Sequence, residues 1–312
     1  METPRPDVWS LSRLLAEDLG PTVVWASPSV RSRTQAALPF PHHDPGEGIG
    51  GDTQTLIAVG GGTLLDLAKR YRAESAPGLR LVAVASIWGS GAEASPIAVM
   101  NEEGRKVIRM GSAYLPDVRV PWTALADSVS REAAEAACGD AWSHALEGFL
   151  SPLADAAVQE ELASVISEML ALPIGRDDRW FEASASACRL QSRASVGLVH
   201  GIAHTLEGPL RAVQPDFGWG HARLCSTFLW PVLSLDLSLS AGAASRLEAS
   251  GLEVAAILDA ARRVYLEEAY ERAIPLLEVH WPAVLRDPST RTNGALVRAP
   301  QIEHFRRRAF AA

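Results

Sequence analysis

The chain has 312 residues, 47% hydrophobic and 21% charged, with a net charge of −8 at pH 7. That leaves room for one large domain or two medium ones with a buried core. The acidic balance argues against nucleic acid as the main partner, because no basic stripe is present to track phosphates. The one dense basic run, Arg306-Arg307-Arg308, reads as a helix end or a solvated face. Cys138, Cys188 and Cys225 are widely spaced and form no CxxC pair, so a reducing cytoplasm is expected and a disulfide framework is not. Met1 is followed by Glu2-Thr3-Pro4-Arg5, and no apolar stretch is long enough to span a bilayer, so neither a leader nor a membrane anchor is expected.

In chain order, Leu11–Leu19 reads as a short helix with Ser10 as its N-cap, and Thr22–Ala26 as a buried strand. Ser29–Leu38 reads as a helix, and the Pro- and Gly-rich stretch Pro39–Gly51 as a loop holding His42 and His43. These two histidines are read as a metal pair or a solvated loop pair. The apolar run Thr55–Val59 leads into Gly60-Gly61-Gly62-Thr63 and a helix with Asp66, Ala68 and Lys69. A strand, a glycine turn and a helix start form an anion site, because outward N–H groups and the helix dipole add positive potential. The same glycines can also be only a tight turn. Leu79–Ala85 is a third buried run, followed by the small-residue turn Ser86–Glu93. Ile97–Met100 and Lys106–Met110 read as a strand pair around Asn101–Gly104, and Tyr114–Trp122 as an extended linker. Alternating strands and helices predict a largely parallel sheet, with ligands at the carboxyl ends of its strands.

From Ser128 the chain turns Ala-, Leu- and Glu-rich with helical periodicity, as in Ala157–Leu172, Trp180–Val199, Leu252–Glu278 and Pro300–Phe310. A boundary is therefore expected near Asp127, with an α/β domain over 1–127 and an all-α domain over 128–312. Asp140 and His144 lie four apart in CGDAWSHALEG, on one face of a helix, and His200, His204 and His221 follow. One carboxylate and several imidazoles suit a divalent transition metal, although an Asp/His pair on a helix is equally a structural contact.

Taken together, these segments resemble the iron-containing (group III) alcohol dehydrogenases. Gly60–Lys69 resembles that family's GGGSxxDxAK signature, Ser86–Glu93 its TxxGTGSE segment, and Gly139–Glu147 its GMDALTHAIE segment. His200-Gly201-Ile202-Ala203-His204 is similar to its HGMAHP segment, and His221-Ala222 with Leu229-Trp230-Pro231 to its final HG and LP. The resemblance implies an N-terminal α/β nucleotide-binding domain and a helical metal-binding domain, with NADPH or NADH and one divalent metal, Fe2+ or Zn2+, meeting in the cleft. It implies Asp140, His144, His200 and His221 as metal ligands and His204 as a proton relay. It also implies that Gly60, Gly61, Gly62 and Thr63 hold the pyrophosphate and that Asp66 approaches the nicotinamide. Ser86 and Ser90, and more loosely Lys106, then contact the cofactor.

Three departures stand out. The lead-in to Gly60 is short for the family, so the nucleotide domain is expected to be minimal. Ser27 stands at the end of the Thr22–Ala26 strand where many members carry an Asp for the adenosine 2′-hydroxyl, which admits NADPH. The insert Pro209–Gly220 is long and is expected to reshape the substrate pocket. The implied activity is reduction of a small aldehyde, with the metal as Lewis acid and the nicotinamide as hydride source. Trp88, Trp142, Phe149 and Trp219 are read as an apolar pocket or as core. Arg193 and Arg211 are read as holders of an acidic, for example phosphonate-bearing, substrate or as exposed charges. Alternatives are a dehydroquinate synthase-like or polyol-phosphate enzyme of the same fold, or a non-catalytic relative. A homodimer is what the resemblance suggests.

Overall fold

The computed structural model describes residues 5–102 and 105–310. The chain divides into two compact units, Met1–Ser130 and Arg131–Ala312.

In the first unit β1 (Asp7–Val8), β2 (Thr22–Ala26), β3 (His42–His43), β4 (Thr55–Gly60), β5 (Arg80–Ala85) and β8 (Val118–Pro121) form one six-stranded sheet. Its order is β1-β8-β5-β4-β2-β3 and every pairing is parallel. The central strands are continuous apolar runs because both faces are covered. Val24, Ile57, Val82 and Val84 enter the core on one face, while Val23, Trp25, Leu56, Ala58 and Leu81 enter that on the other. Helices α1 (Leu11–Ala16), α2 (Arg31–Ala37) and α3 (Gly62–Ser75) connect the strands, and Ser10 caps α1 by accepting from the N–H of Arg13. The antiparallel pair β6 (Ile97–Glu102) and β7 (Arg105–Met110) stands as a separate ribbon. Glu103 and Gly104, the end of the expected turn, lie outside the described residues.

Two expectations change here. The segment Tyr114–Trp122 is not a linker throughout: Val118–Pro121 is a sheet strand between β5 and β1, with Val118 and Val120 fully buried. A four-residue strand ending in proline is too short to show a period. The loop Pro39–Gly51 likewise contains β3, where His42 and His43 pair with Val24 and Trp25.

The second unit is helical: α4 (Arg131–Leu150), α5 (Ala156–Leu170), α6 (Trp180–Gln191), α7 (Leu198–Val213), α8 (His221–Leu239), α9 (Ala241–Ala249), α10 (Val254–Arg263), α11 (Glu267–Val284) and α12 (Ile302–Arg306). Helix α4 is buried on every side from Ala136 to Leu150, which makes it the central rod of the unit. It approaches α8 at Gly139, where a Cβ would stand 2.5 Å from Cα of Ser226. The expected helix Trp180–Val199 breaks after Gln191, and Ser195 adopts φ +68° before α7 restarts. Leu252–Glu278 is likewise two helices, and Pro300–Phe310 holds a 3-10 turn and then α12. Among the described residues no single helix is long and apolar enough to cross a membrane.

One buried carboxyl ties α8 to the segment before α12. Asp236 accepts from Asn293 Nδ2 at 2.6 Å, and burial pushes its pKa up to about 8. The native chain then holds a proton that the unfolded chain releases near pH 4, so this contribution is full below about pH 4 and is lost as pH rises toward 8. The melting temperature is expected to fall across that window, and Asp236→Asn to make the fall shallower. An unchanged slope in the variant would remove Asp236 as its source.

Candidate metal centre and nucleotide turn

In the first unit, parallel register brings Ser27, Gly60–Gly62 and Ser86 to the carboxyl ends of adjacent strands. The N–H of Ser27 donates to Val59 O at 2.9 Å and that of Ser86 to Gly60 O at 3.0 Å. Glycine is required for space at two of these positions. A Cβ on Gly60 would collide with Ser27 Oγ and Leu64, and one on Gly62 would stand 2.8 Å from Ser90 Oγ. At Gly61 a Cβ would meet only Ile87, at 3.7 Å. Gly61 is the N-cap of α3 and no side chain caps this end, so its first-turn N–H groups have no side-chain acceptor. Gly62→Ala is therefore expected to weaken nicotinamide nucleotide binding at least about tenfold, with Gly61→Ala close to the parent. Equal affinities in a fluorescence titration would show that the turn does not touch the nucleotide.

Asp66 and Lys69 in the family-type segment are both buried and bonded to one another. Asp66 is buried, with Oδ1 accepting from Lys69 Nζ at 3.2 Å and Oδ2 from the N–H of Val99 at 3.0 Å. Lys69 Nζ, fully buried, also donates to Ile97 O at 2.6 Å. Asp66 Oδ2 and Lys69 Nζ thus fasten α3 to β6, while Asp66 Oδ1 holds Lys69. Lys106 sits on β7, half-buried, with its charge felt at Asp66.

In the second unit, α4 presents Asp140 and His144, α7 presents His200 and His204, and α8 begins at His221. The structure brings all five together. Asp140 Oδ1 lies 3.7 Å from His144 Nδ1, 3.9 Å from His200 Nε2 and 3.8 Å from His221 Nε2. His200 Nε2 and His144 Nε2 are 3.2 Å apart. The donor atoms of Asp140, His200, His221 and Cys225 all fall within 4.8 Å of one another, and His144 stands outside that set, against Asp140 and His200. His204 stacks on His221, with ring centres 5.4 Å apart and planes 18° from parallel.

The electrostatics fit a cation. Asp140 Oδ1 and His144 Nδ1 are buried and have no hydrogen-bond partner. Burial pushes the Asp140 carboxyl up, against the pull of His144 and Cys225. Burial, then the neighbouring His144 and His204, push His200 well below the ordinary imidazole value, so His200 is neutral with a lone pair to offer. A buried carboxylate oxygen without a donor, with nitrogens of three histidines 3.7–3.9 Å away and His200 neutral among them, is a set of lone pairs that one divalent ion would satisfy together.

Around this set lies a layer of orienting groups. Glu147 accepts from the N–H of Val199 at 2.6 Å and lies 2.5 Å from His200 Nδ1. Burial raises its pKa to about 7, against the donated N–H groups of Gly197 and Val199. Burial would also raise Asp287, but its interaction with His204, 3.8 Å away, outweighs this and holds it low. Ser289 Oγ is 3.5 Å from His204 Nδ1.

The pocket and anion readings fare less well. Trp88, Trp142, Phe149 and Trp219 are all buried, hence core. Arg193 bonds Asp155 at 2.8 Å, while Arg211 donates to Trp219 O at 2.8 Å and pairs with Glu207 at 2.9 Å. The insert Pro209–Gly220 prolongs α7 to Val213 and then turns through a 3-10 segment, Pro215–Phe217, to the buried Trp219.

Residues 50–123 match the family model for iron-containing alcohol dehydrogenase. Over 170 residues the chain is 29% identical to the 1-propanol dehydrogenase PduQ of Salmonella typhimurium, covering 50% of this chain and 46% of that one. The iron-containing alcohol dehydrogenase of Thermococcus thioreducens shares the fold across 98% of both chains, with a TM-score of 0.75 at 17% identity. Residues 50–123 thus carry the sequence pattern of iron-containing alcohol dehydrogenases, and the chain shares their fold. The chain is also similar to maleylacetate reductase 1 of Rhodococcus opacus, 27% identical over 196 residues, 60% of this chain and 52% of that one. The chain spans about half the length of the curated relatives it matches.

Sequence reasoning missed Glu147, Cys225 and Asp287. For two of these the signal was present in the chain: Glu147 follows His144 by three residues and Cys225 follows His221 by four, each on its neighbour's helix face. Asp287 reaches His204 from a distant segment that carries no local pattern.

Proposed function

We propose that this chain is a metal-dependent oxidoreductase that uses a nicotinamide cofactor to interconvert a small aldehyde and its alcohol. The observation that carries this reading is Asp140 Oδ1, buried and without a donor, with nitrogens of three histidines 3.7–3.9 Å away. Asp140, His200 and His221 would hold a divalent ion, Fe2+ or Zn2+, with His144 beside Asp140 and His200. The uncapped start of α3 and the glycine turn before it would take the diphosphate of the nucleotide. When bound, the nicotinamide supplies a hydride and the cation supplies Lewis acidity toward a carbonyl oxygen. His204, stacked on His221 and held by Asp287 and Ser289, would pass a proton to or from substrate oxygen. Ser27 leaves the end of β2 without a carboxylate, which removes repulsion of a 2′-phosphate and favours NADPH.

An acid-bearing aldehyde is a narrower version of this reading. Arg193 and Arg211 would have to carry it, and both guanidinium groups are already paired within the protein. The broader substrate class is therefore the one proposed. Metal-analysed protein should consume NADPH or NADH in the presence of members of a panel of short aliphatic aldehydes, and lose that activity on chelation. Absence of consumption with every aldehyde and both nucleotides, metal still bound, would refute the reading.

A further inference from the structure

We infer that Cys225 is itself a ligand of the proposed metal, adding a thiolate to the shell and biasing it toward zinc over iron; this rests on the metal reading above. Cys225 lies one helical turn beyond His221 on α8, so the two side chains share a face. Its Sγ is 3.6 Å from His221 Nε2 and belongs to the four-donor set that closes to within 4.8 Å. In a zinc shell with bonds of about 2.0–2.1 Å to nitrogen and about 2.3 Å to sulfur, neighbouring sulfur and nitrogen atoms stand about 3.6 Å apart, and expansion to five-coordinate would leave a position for substrate oxygen. The oxygen–nitrogen edges of 3.8 and 3.9 Å need to contract only by a few tenths of an ångström to join it.

A buried cysteine is most simply a small apolar filler. The surroundings of Cys225 do not suit that role. Its thiol bonds the buried Asp140 carboxyl and lies 3.6 Å from His221 Nε2, two polar partners that an apolar filler would not need. The chain's other cysteines lie outside that donor set: Cys138 exchanges hydrogen bonds with the backbone of Gly175, and Cys188 accepts from Gln191. On metal binding the Cys225 thiol gives its proton to solvent and its lone pair to the ion. Imidazole and thiolate together select zinc, whereas carboxylate and imidazole alone serve iron(II).

Cobalt(II) replacement tests this without turnover. Protein freed of metal and loaded with cobalt is expected to show visible ligand-field bands together with a near-ultraviolet sulfur-to-cobalt charge-transfer band. Cys225→Ala and Cys225→Ser should keep the former and lose the latter, and in competition between equimolar zinc and iron(II) their preference for zinc should drop about tenfold. Visible bands without charge transfer in the parent protein would overturn the role of Cys225 and leave the metal site standing. Failure to retain any cobalt would overturn both. The parent spectrum decides the question even if the variants do not fold.

Discussion

His200→Ala is expected to empty the metal centre and to lower nicotinamide-linked turnover by about 10²–10³-fold or more, the loss typical of removing a preorganised electrostatic group. His200 is the hub of the cluster. Its ring packs 4.6 Å from that of His144 and 5.2 Å from that of His221, its Nε2 faces Asp140, and its Nδ1 faces Glu147. Alanine removes one donor and unties the buried Glu147 at once. The fold should survive, because a carboxyl already pushed up to about 7 can take a proton when its partner is gone. Metal content, turnover and melting temperature measured together separate site loss from unfolding. A folded variant with full metal and unchanged turnover would sink the metal assignment.

Glu147→Gln is expected to weaken metal retention by about 10–100-fold while leaving the fold in place. Glu147 accepts from the Val199 N–H with one oxygen and from His200 Nδ1 with the other. An amide has only one acceptor to serve both. If its oxygen stays on Val199, its NH2 faces Nδ1 and drives the His200 proton to Nε2, the atom that points into the cluster. If it flips, two N–H donors oppose one another at Val199. The first arrangement works against a metal bond at Nε2, and the second leaves the buried Val199 N–H without an acceptor. Glu147→Ala should be worse for stability, since each buried donor left unmet costs about 1–3 kcal/mol. Chelator competition on both variants checks the order, and parent-like metal affinity in Glu147→Gln would show that Glu147 only packs.

How much of this was legible in the sequence depends on the range of the interactions involved. The strands Thr22–Ala26, Thr55–Gly60 and Arg80–Ala85 are covered on both faces, so they appear as unbroken apolar runs. The glycine turn shows because Gly60 and Gly62 have no room for a Cβ, a constraint that only one residue type meets. Val118–Pro121 did not show, since its strand character comes from two neighbours distant in sequence. Helix α4 lacks an amphipathic period because it is buried all round, and its Asp140 and His144 were found by spacing and resemblance instead. The break between α6 and α7 is set by tertiary bonds: Thr292 Oγ1 donates to Ser195 Oγ and Val196 O, and Asn293 Oδ1 accepts from the N–H of Leu198. Asp66 and Lys69 were visible as residues, but their use in fastening β6 required coordinates.

The central claim is that one chain carries both a divalent metal and a nicotinamide nucleotide. Its most direct test is a titration of purified, metal-analysed protein with NADPH and with NADH, followed by nicotinamide fluorescence. The expected result is one metal per chain and saturable binding, tighter for NADPH. Metal present with neither nucleotide bound would contradict it.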